Sequence, residues 1–158
     1  FERSLFDPVE KGWPDLRGEK PVRDPVQWCH GAAGIGFARM AALDVLDDPA
    51  IRDEIETAIA AVLATQDGGR DNLCCGHAGR FSMLRYALEL GCGPDDLEHR
   101  FNHRLSAWIN RLDNPNTIGL MARDKVFQTG LMQGLPGIGQ ALLEIAAPEK
   151  IRPVLTLE

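Results

Sequence analysis

A glycine step recurs three times along the chain, and each time it opens an apolar run. The segments are "WCHGAAGIGFARMAALDVL", "LCCGHAGRFSMLRYALEL" and "LMQGLPGIGQALLEIAAP". Each reads Gly-x-[Ala/Pro]-Gly at Gly31/Gly34, Gly76/Gly79 and Gly134/Gly137. Successive copies lie 45 and 58 residues apart, counted between Gly31, Gly76 and Gly134, a period that suits a helix-pair repeat. Glycine at a helix entrance lets the backbone turn sharply and approach its neighbours closely. Helix–helix packing is the expected role of Gly134 and Gly137. A phosphate-binding loop is excluded, because no Lys-Ser/Thr pair follows the glycines and no strand pattern precedes them.

Between the glycine-entered runs lie longer amphipathic segments. "DDPAIRDEIETAIAAVLATQ" offers Asp48 as an N-cap and Pro49 in the first turn, with Ile51, Ile55, Ile59 and Val62 at helical spacing. "GPDDLEHRFNHRLSAWINRL" repeats the plan with Leu97, Phe101, Leu105, Trp108 and Ile109 on one face. The glycine-entered helices are apolar on most sides, as inner helices are, and their partners carry one polar face suited to an outer layer. Alternating strand patterns are scarce. The expected fold is all-α, built of stacked helical hairpins over residues 28–158, after an irregular lead-in over residues 1–27 with Pro8, Pro14, Pro21 and Pro25.

In this register the residues just before each step come to one end of the helix layer. They are Cys29 and His30, Cys74 and Cys75, and Met132 and Gln133. Four cysteines occur in all, and a disulfide between adjacent ones strains the intervening peptide, so reduced thiols in a cytosolic setting are expected. Three thiolates from Cys29, Cys74 and Cys75 around one zinc ion would leave the fourth tetrahedral position open, which is the layout of a catalytic site. A position near helix N-termini would favour their deprotonation. The competing reading is that free cysteines are small buried hydrophobes, and this is the expectation for Cys92.

His30 is either a fourth ligand or a group lining the site that passes protons or orients a substrate. His77 reads as a helix-start residue, and His99 with His103 as a solvated i, i+4 pair on an outer helix. Trp28 either walls the site or packs in the core. Asp71 and Asn72 stand where residues cap a helix entrance. The formal net charge of −6 argues against a nucleic-acid partner, and no apolar run approaches the length of a membrane span.

"WCHGAAGIG" resembles the Trp-Cys-x-Gly-x-x-Gly element of the LanC-like lanthionine cyclases. "NLCCGHAG" resembles their second zinc motif in the Cys-Cys-Gly form of class II lanthipeptide synthetases, the LanM type, and "GLMQGLPGIGQALLEIAAPEKIRPVLTLE" looks like the end of such an enzyme. The resemblance implies an α/α toroid, of which this chain would encode a part, with Cys29, Cys74 and Cys75 as zinc ligands and His30 as a catalytic candidate. It implies addition of a peptide cysteine thiol to dehydroalanine or dehydrobutyrine, closing thioether rings in a dehydrated precursor peptide, in the cytoplasm.

The family's catalytic Asp and His motifs have no match here, and neither has the dehydratase domain. The resemblance therefore implies the C-terminal part of a larger protein, poorly active or inactive alone. Its partners would be the earlier half of the cyclase domain and the dehydratase domain, and apolar helix faces would be exposed where missing repeats dock. A zinc-stabilised peptide-binding module and a glutathione-binding LanC-like protein are the alternatives.

Overall fold

The computed structural model describes residues 1–9, 12–19, 25–66, 69–120 and 128–156; Pro21 of the lead-in and the last two residues of the chain lie outside them. Five α-helices occur among the described residues: α1 (Ala32–Ala41), α2 (Pro49–Leu63), α3 (His77–Glu89), α4 (Leu97–Leu112) and α5 (Leu135–Ala146). Among those residues extended pairing is limited to the isolated bridges Asp7–Gly12 and Val26–Gly31. The fold is all-α, as the periodicity predicts.

The glycine step builds the same local device three times. Gly31, Gly76 and Gly134 are the N-cap residues of α1, α3 and α5, none with a side-chain cap. The next N–H reaches back seven residues: Ala32 donates to the Pro25 carbonyl (2.9 Å), His77 to Arg70 (2.9 Å) and Leu135 to Gln128 (3.3 Å). The second glycine then lies against a carbonyl six residues earlier. A Cβ would stand 1.9 Å from the Trp28 oxygen at Gly34, 2.1 Å from Leu73 at Gly79 and 2.0 Å from Leu131 at Gly137. The step therefore folds the chain mouth onto its own helix. The packing role expected of Gly137 is real but secondary, through Leu73 Cβ at 2.8 Å.

Helix α3 is the centre of the layer, packing against α1 on one side and α5 on the other; α2 backs α1, and α4 backs α3. The small residues Ala78, Gly79, Ser82 and Ala87 let neighbours approach, while Phe81, Met83, Leu84 and Tyr86 fill the space between. The outer helices follow their sequence pattern. Asp48 Oδ1 accepts from the Ile51 N–H (3.0 Å), Pro49 occupies the first turn, and Ile51, Ile55, Ile59 and Val62 are buried. In α4, Leu97, Phe101, Leu105 and Trp108 are buried, whereas Ile109, one position beyond the stripe, is 42% exposed.

After α5 the chain turns back, and Leu155 enters the core. Glu144, 1% exposed, secures this return by accepting from Ser82 Oγ on α3, Gln140 Nε2 (3.1 Å) and the Val154 N–H (2.9 Å). At the α5 end Leu131, Leu135 and Leu143 are exposed. The lead-in has only a short 3-10 turn (Glu2–Leu5), yet it is pinned down: Trp13 is buried against Phe6, and Arg3 joins Arg39 on Glu54 (2.5 Å each). No described helix is long and apolar enough to cross a membrane.

Two alanine substitutions separate close approach from helix propensity. Gly79→Ala drives a methyl into the Leu73 carbonyl and is expected to cost about 1–3 kcal/mol or more of unfolding free energy. Gly139→Ala, on α5 with nothing within 4 Å, is expected to gain about 0.5–1 kcal/mol. Urea unfolding of the two variants checks both signs.

Candidate metal centre

Backbone hydrogen bonds tie the three helix mouths together. The Cys74 N–H donates to the Met132 carbonyl (2.8 Å), and the Cys74 carbonyl accepts from the Trp28 N–H (3.1 Å). This places Cys29, from the first repeat, beside the vicinal pair of the second. Cys29 Sγ lies 3.5 Å from Cys75 Sγ, and Cys75 Sγ lies 3.4 Å from Cys74 Sγ. Among the described residues these three are the one group of His, Cys, Asp or Glu ligand atoms, three or more in number, lying mutually within 4.8 Å. The sulfurs touch without bonding, as all four cysteines are free thiols.

The trio fits a metal ion by two criteria. Three sulfurs about 2.3 Å from a tetrahedral ion lie about 3.8 Å apart, close to the spacings seen here. A donor set of three thiols is also soft, which suits zinc and excludes calcium or magnesium. These thiols are able to hold a metal ion.

Two of the three thiols resist ionisation. Burial pushes the Cys74 thiol far above the usual thiol range, and the neighbouring Cys29 and Cys75 sulfurs add to the rise. Burial likewise raises Cys29. Burial at Cys29 and Cys74 thus acts against the deprotonation that helix N-termini are expected to favour. Any ion bound here displaces protons, so its affinity rises with pH.

His30 stands at the rim. Its Nδ1 lies 2.9 Å from Cys29 Sγ, and its Nε2 lies 3.7 Å from Asp15 Oδ2. Burial lowers its pKa, and the Arg17 charge lowers it further. Arg17 grips Asp15 through two nitrogens (2.8 Å each), and this hydrogen bonding holds the Asp15 carboxyl far below the usual range. A cleft of about 690 Å³ opens here, with Trp28, Cys29, His30, Arg17 and Leu155 among its walls. Trp28 therefore walls the site while also touching the core.

The other candidates lie elsewhere. His77 opens α3 and is buried beside Phe81 and Trp108. His99 and His103 are exposed on α4 with no third ligand near them among the described residues. Cys92 is half-buried against the core, away from the trio. Asp71 and Asn72 do not cap α3: Asn72 Oδ1 accepts from the Cys75 N–H (2.8 Å), and the Asp71 side chain turns to α4. Asp15, Arg17 and Leu155 carry no sequence signal for the site. The first two sit in the lead-in and the third near the opposite end of the chain, and only packing brings them to the cleft.

Three thiols gathered where glycine-entered helices begin, in an all-α chain, define a thiol-lined site able to hold a metal ion. The chain belongs to the lanthionine synthetase C-like family, whose model matches residues 1–157. No curated protein and no solved structure is significantly similar to it. The family points to a cyclase-type enzyme domain and to a peptide substrate.

The raised thiols carry a pH prediction. A thiol reacts with iodoacetamide as its thiolate, so metal-free Cys29 and Cys74 are expected to alkylate more slowly than an unperturbed cysteine at neutral pH. Their rates should climb as pH rises through and beyond the ordinary thiol range of about 8–9. Cys29 is the exposed member of the trio, so access limits it less than Cys74. Peptide mass mapping across pH reads both sites.

Proposed function

We propose that this chain carries the zinc site of a lanthionine and methyllanthionine cyclase of the class II, LanM type, acting on a dehydrated precursor peptide in the cytoplasm. The observation that supports the reading best is the convergence of Cys29, Cys74 and Cys75 from two repeats, in a chain that belongs to the lanthionine synthetase C-like family. Cys29, Cys74 and Cys75 would hold zinc. When bound, zinc supplies Lewis acidity that lowers the pKa of a peptide thiol.

The remaining chemistry falls to the chain and the peptide. A cysteine S–H adds across the C=C of dehydroalanine or dehydrobutyrine: the sulfur bonds to Cβ, and a proton reaches Cα, with no change in redox state. The cleft beside Cys29 gives the peptide a bounded surface, with apolar walls at Trp28 and Leu155. We assign proton handling to His30, whose ring is oriented from both sides by Cys29 Sγ and Asp15 Oδ2. The three thiols form no group with His30 within 4.8 Å, which favours a site left open for substrate over one closed by a fourth protein ligand.

Purified protein is expected to hold about one zinc per chain by elemental analysis, lost in the Cys74→Ala/Cys75→Ala variant. Absence of metal from the wild type would defeat the site assignment. With a dehydrated peptide, loss of free thiol at unchanged peptide mass supports cyclisation. Zinc together with peptide retention but no thiol loss, even when the earlier half of the cyclase domain is supplied, would make the chain a zinc-stabilised peptide-binding module.

A further inference from the structure

We propose that Asp71 and Asn72 are positioning residues for the metal site, through which the outer helix α4 holds the Cys74–Cys75 turn in the shape that brings its thiols to one side. The proposal rests on the metal-site reading above and extends it beyond the ligands.

Adjacent side chains on an extended backbone point to opposite faces, so vicinal thiols converge only if the chain between them is bent. Residues 73–75 form such a turn. The Asn72 side chain closes it, with Oδ1 accepting from the Cys75 N–H (2.8 Å) while the Asn72 carbonyl accepts from the Gly76 N–H (2.9 Å). Asn72 is fully buried, and its Nδ2 has no hydrogen-bond partner among the described residues. That side chain is therefore held for its acceptor, at the expense of its donor.

Asp71 anchors Asn72 from behind. It is 0% exposed, and its carboxylate is held on every side. Oδ1 accepts from Trp108 Nε1 (2.8 Å) and from Arg111 Nη2; Oδ2 accepts from Arg111 Nη1 (2.9 Å) and from the Gly119 N–H (2.6 Å). Its own N–H donates to the Gly119 carbonyl (2.6 Å), and its carbonyl accepts from Ala78 at the start of α3 (3.1 Å). Gly119 permits this approach, since a Cβ there would lie 2.0 Å from the Gly69 oxygen. Trp108 is itself fixed by stacking on Phe81 (5.0 Å between ring centres). A buried carboxylate bound so fully fixes the backbone from which Asn72 starts. Such support beyond the ligands is what sets the geometry of a metal site.

Zinc competition against a chromophoric chelator tests this on the folded full chain, with cobalt(II) as a spectroscopic probe of thiolate ligation. Asp71→Asn and Asn72→Ala are expected to weaken zinc binding by about 10- to 100-fold and to diminish the cobalt–thiolate charge-transfer band. Trp108→Phe, which keeps the ring and removes the indole donor, is expected to shift both readouts in the same direction by less, and carries the test if Asp71→Asn does not fold. Glu144→Gln is the structural control: its carboxylate is equally buried but ties α5 to α3 and the chain's return. It should lower the melting temperature and leave zinc affinity unchanged. Wild-type zinc affinity in folded Asn72→Ala and Trp108→Phe would overturn the positioning role alone. A wild type that binds no zinc would overturn the metal-site reading and this proposal with it.

Discussion

Two backbone hydrogen bonds, Trp28 N–H to the Cys74 carbonyl and Cys74 N–H to the Met132 carbonyl, join the mouths of three helices, and the site follows from them. They exist only because each helix begins on a glycine step that lets the chain lie against its own carbonyl at roughly 2 Å from where a side chain would start. With bulkier residues there, the mouths would splay and Cys29 would part from Cys75. The glycines are thus a condition for the thiols to meet, although none of them contributes a ligand atom.

The thiols meet at an electrostatic cost. Burial and crowding push Cys29 and Cys74 upward, and the Arg17 guanidinium, whose charge is felt at Cys29, is already paired with Asp15. A cluster of this kind gains most from a divalent ion, because one bound cation relieves both the desolvation and the mutual repulsion of the thiolates. The rim is organised differently. Its ionic groups run from the exposed Arg17 to the largely buried Asp15, and they orient His30 without closing the cleft.

Much of the fold was legible because its signals are local. The glycine step marks where α1, α3 and α5 begin, Asp48–Pro49 marks the start of α2, and the stripe Leu97–Phe101–Leu105–Trp108 marks the buried face of α4. The repeat register also pairs Cys29 with the vicinal cysteines, since equivalent places in stacked repeats become neighbours. Less legible were the side chains with two plausible partners. Asp71 could cap α3 or reach α4, and Trp108 could simply fill the core; their choice of each other depends on how α4 crosses behind α3, which no local pattern encodes.

The sequence by itself determined the helical repeat, the inner and outer faces, and which cysteines share a register, because periodicity and glycine placement act over a few residues. Tertiary structure alone decided that Asp15, Arg17 and Leu155 line the cleft and that the Asp71 carboxylate faces Trp108 and Arg111. It also decided that burial raises the thiols of Cys29 and Cys74. Desolvation, charge pairing and cleft shape depend on atoms distant along the chain, and these acquire neighbours only when the helices pack.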